Sequence, residues 1–294
     1  MTPMIAYPHI NPIAVRLGPV SIHWYGIMYL LGFAAAWGLA RSRASRPNST
    51  WRPVDVDDFL FYAMLGVILG GRIGYVLFYG LPLWRADWLY PVKIWEGGMS
   101  FHGGLLGVLL AMTLFAWRRG RAVGDVFDFT APLPGIGLFF GRLGNFINGE
   151  LWGRPTDVPW AFLVPSASGG PPVARHPSQL YEAFFEGLVL FMILWIFTSR
   201  PRPRYAASGL FFLVYAVARI AIEFVREPDV GIGYVALGWV TMGQLLSLPM
   251  LLVGILLLWA AYHYRIPSGN YTSGTAPAAT PTPAQPQRGG RTAH

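Results

Sequence analysis

Seven long apolar stretches restrict this chain more than anything else in it. They run roughly Ser21–Ala40, Phe59–Tyr79, Phe101–Trp117, Ala131–Asn148, Leu180–Thr198, Gly209–Val225 and Trp239–Tyr262. A helix needs ~20 residues to cross a bilayer, and each stretch is near that length. The expected fold class is an all-α polytopic membrane protein with seven transmembrane helices. Composition agrees. Only 12% of the residues are charged and 54% are hydrophobic, whereas a soluble domain is about 25% charged. The 12 Trp, 14 Tyr, 35 Gly and 25 Pro suit membrane interfaces and membrane helices. The absence of cysteine excludes disulfides, iron–sulfur clusters and a thiol nucleophile on the protein itself.

Orientation follows from the basic residues. With the N-terminus outside, the inner segments hold Arg41, Arg43, Arg46, Arg52, Arg118, Arg119, Arg121, Arg200, Arg202, Arg204, Arg265, Arg288 and Arg291. The outer segments hold only Arg16, Arg85, Lys93, Arg154, Arg175 and Arg226. Cytoplasmic loops are the basic ones, so the expectation is N-terminus periplasmic and C-terminus cytoplasmic. Residues 1–20 read as an interfacial arm, because Pro3, Pro8, Pro12 and Pro19 forbid a regular helix. No basic region precedes Arg16, so no cleavable signal peptide is expected. Residues 21–265 form the membrane domain, with an outer-face loop region at about 149–178. Residues 266–294 are rich in Pro, Ala, Thr, Gly and Gln without an apolar period, which predicts a disordered cytoplasmic tail.

Charge inside a bilayer is costly and marks function. In this topology Arg142 and Asn145 lie near the outer end of the fourth span. Arg219 and Glu223 lie near the outer end of the sixth, Tyr25 and His23 open the first, and His102 opens the third. Tyr181, Glu182 and Glu186 open the fifth, also outside. Only Arg72 is placed centrally. Polar groups from five helices thus gather at one depth. On the sixth span Tyr215, Arg219, Glu223 and Arg226 share one face of a helix. Two arginines against one glutamate leave that stripe positive, which suits an anionic ligand. An Arg219–Glu223 pair that only neutralises buried charge is the plain alternative. Arg142 and Asn145 are one turn apart, in the run Gly141-Arg142-Leu143-Gly144-Asn145-Phe146-Ile147-Asn148-Gly149-Glu150-Leu151-Trp152-Gly153-Arg154. Arginine donates in a fork that fits phosphate. His102, flanked by glycine pairs, could accept a proton; it could equally be structural. No metal-ligand spacing, Walker loop, dinucleotide fingerprint or GxSxG elbow occurs.

These motifs together resemble the bacterial prolipoprotein diacylglyceryl transferase family. The resemblance is carried by His23-Trp24-Tyr25-Gly26, Gly70-Gly71-Arg72-Ile73-Gly74-Tyr75, the run Gly97 to Gly104, the Gly141–Gly153 block, Arg175 to Glu182, and Tyr215 to Glu227. It implies an inner-membrane enzyme with its active site facing the outer leaflet. Such an enzyme moves the diacylglyceryl group of phosphatidylglycerol onto the lipobox cysteine thiol of a preprolipoprotein signal peptide. A thioether forms, glycerol 1-phosphate leaves, and lipoprotein maturation begins. Arg142, with Asn145 and Arg219, is implied to bind the headgroup phosphate. Tyr25, Glu150, Gly153, Tyr215, Glu223 and Arg226 match other important positions. His102 is a candidate base for the thiol, though a cation-stabilised thiolate needs none. The partners are thus phosphatidylglycerol, the signal peptide and the bilayer; no cofactor, metal or nucleic acid is expected. A transporter for an organic anion is the alternative, and it calls for central charges and an internal repeat. A membrane scaffold would need no polar cluster.

Overall fold

The computed structural model describes residues 5–18, 20–166, 169–228 and 233–272. Its long helices are α1 (Trp24–Ala44), α2 (Pro53–Phe78), α4 (Phe101–Arg118), α6 (Leu133–Asn148), α9 (Ala206–Glu223) and α10 (Met242–His263). Shorter helices are α3 (Leu81–Ala86), α5 (Val123–Thr130), α7 (Ser178–Glu182) and α8 (Leu190–Phe197). A π-helical stretch, Ala183–Val189, joins α7 to α8, so Ser178–Phe197 is one continuous rod. Helix α2 packs chiefly on α4, α9 on α10, and α1 on α6.

Among the described residues five helices are long and apolar enough to cross a membrane: Pro53–Phe78, Phe101–Arg118, Ser178–Phe197, Ala206–Glu223 and Met242–His263. The protein is polytopic, with five such helices where seven were expected. Helix α6 has only 16 residues, bounded by Pro132 and Gly149. Helix α1 has 21 residues but carries Trp24, Tyr25, Tyr29 and Trp37 among its apolar ones.

The fold is mostly helical rather than all-α. Seven short strands make three small sheets. β2 (Ile13–Leu17) pairs antiparallel with β3 (Val20–His23), so part of the N-terminal arm is a hairpin leading straight into α1. β1 (Ile5–Ala6), β4 (Phe162–Val164) and β5 (Val173–Arg175) form a second sheet, and β6 (Tyr234–Ala236) pairs with β7 (Val240–Thr241). Strands this short pair because loop carbonyls and amides must find partners.

The Arg72 guanidinium, in the last third of α2, donates to carbonyls of the loop that folds back beside the helix: Pro91 at 3.1 Å, Lys93 at 3.0 Å, Tyr90 at 2.5 Å, and Gly97. The Tyr90 ring lies 4.6 Å below the cation. Carbonyl dipoles carry this buried charge without an acid. One expectation is corrected: a disordered tail does not begin at 266. Residues 266–272 cross the opposite end of the bundle as a strap. Trp51 Nε1 donates to Asn270 Oδ1 at 2.7 Å, and Asn270 Nδ2 donates to the Asp125 carbonyl at 2.7 Å. Thr272 N donates to the Asn48 carbonyl, and the Arg204 amide to the Ile266 carbonyl. Trp51 itself stacks on Phe129 at 3.9 Å in a core with Phe115 and Val126. Composition alone hides such single polar contacts. Residues 273–294 lie outside the described residues.

Candidate active site

Helix α6 ends where the Gly149 backbone turns left-handed, at φ 69°, a conformation glycine adopts without strain. Tyr7 closes that end. Its hydroxyl donates to the carbonyls of Phe146 and Ile147 at 2.8 and 2.9 Å, two of the orphan acceptors every helix leaves. Burial raises the Tyr7 hydroxyl above its ordinary range, so it stays a donor. The chain then laces three segments together by backbone. Gly153 N donates to the His176 carbonyl and Arg154 N to the Val225 carbonyl, both at 2.9 Å. A Cβ at Gly153 would lie 2.5 Å from Val225 O, so only glycine fits. Gly153 therefore has a packing role visible in the fold.

This lacing brings the ends of α6, α7 and α9 together around a buried ion network. Arg142 Nε lies 2.7 Å from Glu182 Oε2. Arg219 reaches Glu182 at 3.4 Å, Glu186 at 3.5 Å and Glu223 at 2.6 Å. Arg226 reaches Glu223 at 3.1 Å and Glu182 at 3.6 Å. Thr241 at the start of α10 donates to Glu223 Oε2 at 2.5 Å. Glu182, Glu186 and Glu223 are buried. Tyr215, half-buried on α9, stacks on Phe211 and sits within electrostatic reach of Glu186, Arg219 and Arg142.

The stripe on α9 is positive by itself, but the network is not. Glu182 and Glu186 from the neighbouring rod bring three carboxylates against three guanidiniums, and the formal charges cancel. That balance favours three buried carboxylates beside three partly buried guanidiniums. Hydrogen bonding is incomplete, however. Both Glu186 oxygens, Glu182 Oε1 and Arg142 Nε have no aligned hydrogen-bond partner. The π-helical stretch, a feature found mostly at functional sites, starts directly after Glu182 and contains Glu186. Sequence reasoning saw both glutamates at the right depth but left them out of the site. The signal was there: each buried arginine needs a counter-charge, and these are the acids of the adjacent span.

A second branch leads from Arg142 to an apolar cavity. Arg142 Nη1 donates to Asn145 Oδ1 at 3.4 Å, and Asn145 Nδ2 donates to Glu150 Oε1 at 2.8 Å. Gly144 leaves room for the Tyr25 ring, whose hydroxyl lies 3.1 Å from that of Tyr29. Tyr25, Arg142 and Asn145 line one end of a cavity of about 660 Å³ that continues between α1, α2, α4 and α6 to Trp37 and Ala40. A cationic fork at the head of an apolar slot fits a lipid with an anionic headgroup.

His102 is not part of the described ion network. It is exposed in the first turn of α4, with its ring against Phe101; Phe101 itself lines the cavity. The glycines around it serve packing. A Cβ at Gly70, Gly74, Gly103 or Gly107 would come within 3.0 Å of the facing backbone of α2 or α4. His176 is a further histidine near the site. Its Nδ1 lies 3.2 Å from the Tyr181 hydroxyl, and burial pushes its imidazole below the ordinary range. Among the described residues no group of His, Asp and Glu could hold a metal ion.

Comparison with known proteins follows the same lines. The sequence pattern of the family described as prolipoprotein diacylglyceryl transferase matches residues 12–260. A phosphatidylglycerol–prolipoprotein diacylglyceryl transferase of Marinomonas sp. (strain MWYL1) is 58% identical over 257 residues, covering 87% of this chain and 95% of that protein. The protein of the same name from Solidesulfovibrio magneticus is 56% identical, covering 87% and 96%. That of Pseudomonas fluorescens (strain SBW25) is 52% identical over 267 residues, covering 91% and 99%.

Proposed function

The chain belongs to the prolipoprotein diacylglyceryl transferase family, and from that membership we propose how its buried network performs the reaction. It is a multi-pass membrane transferase of lipoprotein maturation. Its relatives are named for phosphatidylglycerol and prolipoprotein, and we take both as its substrates. The orientation in this reading has the N-terminus periplasmic, with α1 and α6 completing seven spans. The excess of arginine in the inner loops supports it. The site then faces the outer leaflet of the inner membrane, which the lipid enters laterally and the signal peptide after translocation.

The step is a displacement at carbon. The lipobox sulfur bonds to the glyceryl carbon of phosphatidylglycerol, and the bond from that carbon to the phosphate oxygen breaks. The electron pair leaves with glycerol 1-phosphate, and the thiol proton passes to a base. Charge develops on the departing phosphate, where fixed cations count most. In this reading Arg142 and Asn145 receive the phosphate, and Arg219 and Arg226 supply positive field behind them. Tyr25 and Glu150 set the position of Asn145 and the headgroup. Tyr215 and Glu223 hold the arginines of α9 in place, and Gly153 keeps the loop close. His102, beside the slot-lining Phe101, takes the thiol proton.

The observation that carries this is the placing of Arg142 and Asn145 at the head of an apolar slot. An anion transporter finds less support. Arg72, the charge such a transporter would use at mid-depth, is taken up by loop carbonyls. The test is purified protein with phosphatidylglycerol and a lipobox peptide, read by release of glycerol phosphate. No release by correctly inserted protein would end the reading.

A further inference from the structure

Beyond Arg142 the slot runs on along α6, and part of its wall is bare backbone. Gly137 and Gly141 both line it, and a Cβ at either would meet nothing within 4 Å. These two glycines are not required by helix packing. The close approach at this level is made by Gly32 of α1, whose own Cβ would lie 3.4 Å from Gly137 Cα. In a helix interior alanine forms helix better than glycine, and here it has room. The open space therefore costs helix stability and leaves an apolar channel leading away from the arginine.

The other end of the channel carries a tethered aromatic ring. Trp37 lines it, and its Nε1 donates to Asp57 Oδ1 at 2.7 Å. Arg41 pairs with the same Asp57 at 2.5 Å and lies 5.2 Å from the Trp37 ring centroid. Helices α1 and α6 run antiparallel, with Gly144 against Tyr25 and Met28 and Gly137 against Gly32. Counting along α1 from the level of Arg142, Trp37 comes about ten residues later, or about 15 Å at the helical rise. That is half of the ~30 Å hydrocarbon core of a bilayer, the length one fatty chain occupies in its leaflet.

We propose that the slot is an acyl-chain gauge. Gly137 and Gly141 admit one fatty chain of the lipid whose phosphate sits on Arg142, and the tethered Trp37 limits how long that chain can be. The inference rests on the phosphatidylglycerol reading and adds the two residue types that set chain specificity.

The experiment compares phosphatidylglycerols of different chain length in mixed micelles with the full-length enzyme and a fixed lipobox peptide. In Gly137→Leu the isobutyl group fills the channel. The ratio of kcat/KM for dipalmitoyl over dihexanoyl lipid should fall ~10-fold or more, the scale of apolar pocket discrimination. In Trp37→Ala the ratio for distearoyl over dipalmitoyl lipid should rise. Gly141→Leu, which fills the same channel one turn along α6, carries the first arm should the Gly137 variant fail to insert. Ratios at the wild-type value in both the Gly137 and Trp37 variants overturn the gauge. So does a Gly137→Leu defect confined to the KM of the lipobox peptide, which would place the signal peptide in the slot. Arg142→Lys on the same lipids reports separately on the headgroup reading, since a phosphate defect lowers long and short lipids alike.

Discussion

Glu182 meets Arg142 at 2.7 Å, and the same carboxylate also faces Arg219 and Arg226. One buried acid thus ties the arginine at the head of the lipid slot to both arginines of α9. In the proposed reading an incoming phosphate at Arg142 shares that cation with Glu182, and so binds in competition with a built-in anion.

Replacing Glu182 with Gln should leave three arginines against two glutamates in a buried network. Breaking a buried pair by removing one partner costs about 3–5 kcal/mol. Thermal unfolding in detergent should show a clear fall in Tm for Glu182→Gln. An unchanged Tm would mean that water, rather than Glu182, balances these arginines.

Arg142→Lys keeps the charge but not the fork. Each charge-assisted bond is worth about 1.5–3 kcal/mol, so losing one should lower kcat/KM by roughly tenfold to a hundredfold. Arg142→Ala should be only modestly worse. Full activity in the lysine variant would reduce the role of Arg142 to a plain positive field.

His102→Gln separates proton transfer from lipid binding. The variant should be slow at neutral pH and recover in part as pH rises toward the ~8.5 of a free thiol, where solution itself makes the thiolate. Arg142 variants should show no such recovery. A wild-type rate for His102→Gln at pH 7 would remove this histidine from the chemistry.

Two truncations bear on the strap. Ending the chain after Thr272 keeps every contact of Asn270 and should leave Tm and activity near wild type. Ending it after Pro267 strips buried Trp51 Nε1 and the Asp125 carbonyl of their partner. Each unmet group costs about 1–3 kcal/mol, so Tm should drop. Equal stability of the two truncated chains would show that water replaces Asn270.

Topology can be read with reporters. Fusions at residues 120 and 203 should report cytoplasmic, and an insertion within 155–166 should report periplasmic. A periplasmic signal at 203 would reverse the orientation.

The sequence made the membrane class legible because apolar length survives without any knowledge of neighbours. It made Arg142, Asn145, Arg219 and Glu223 legible because polar and charged residues in an apolar run are conspicuous, and Arg226 because it continues their helical face. What it could not show is which helix supplies the counter-charge. Glu182 and Glu186 share a depth with the arginines in any reading, but only packing puts their rod against α6 and α9. The partners of Arg72 were hidden in the same way, since they are backbone carbonyls of a loop that only folding brings beside α2. The strap failed for a related reason: Asn270 contributes by two directional bonds, and composition averages directions away. The strands were missed because each has only two to five residues, too few for an apolar alternation to show, and one pairing, Ile5 with Phe162, joins distant parts of the chain.

The bond between Trp51 and Asn270 spans 219 positions of sequence. At a synthesis rate of ~5–20 residues per second, Asn270 is made roughly 10–40 s after Trp51. Throughout that interval the indole must keep a temporary partner at the membrane edge, and the Asp125 carbonyl waits for about two-thirds of it. The end of the bundle away from the site therefore closes last, after every other long helix has been made. A nascent chain released early carries an open seam there, which a quality-control protease could read as an unfinished product.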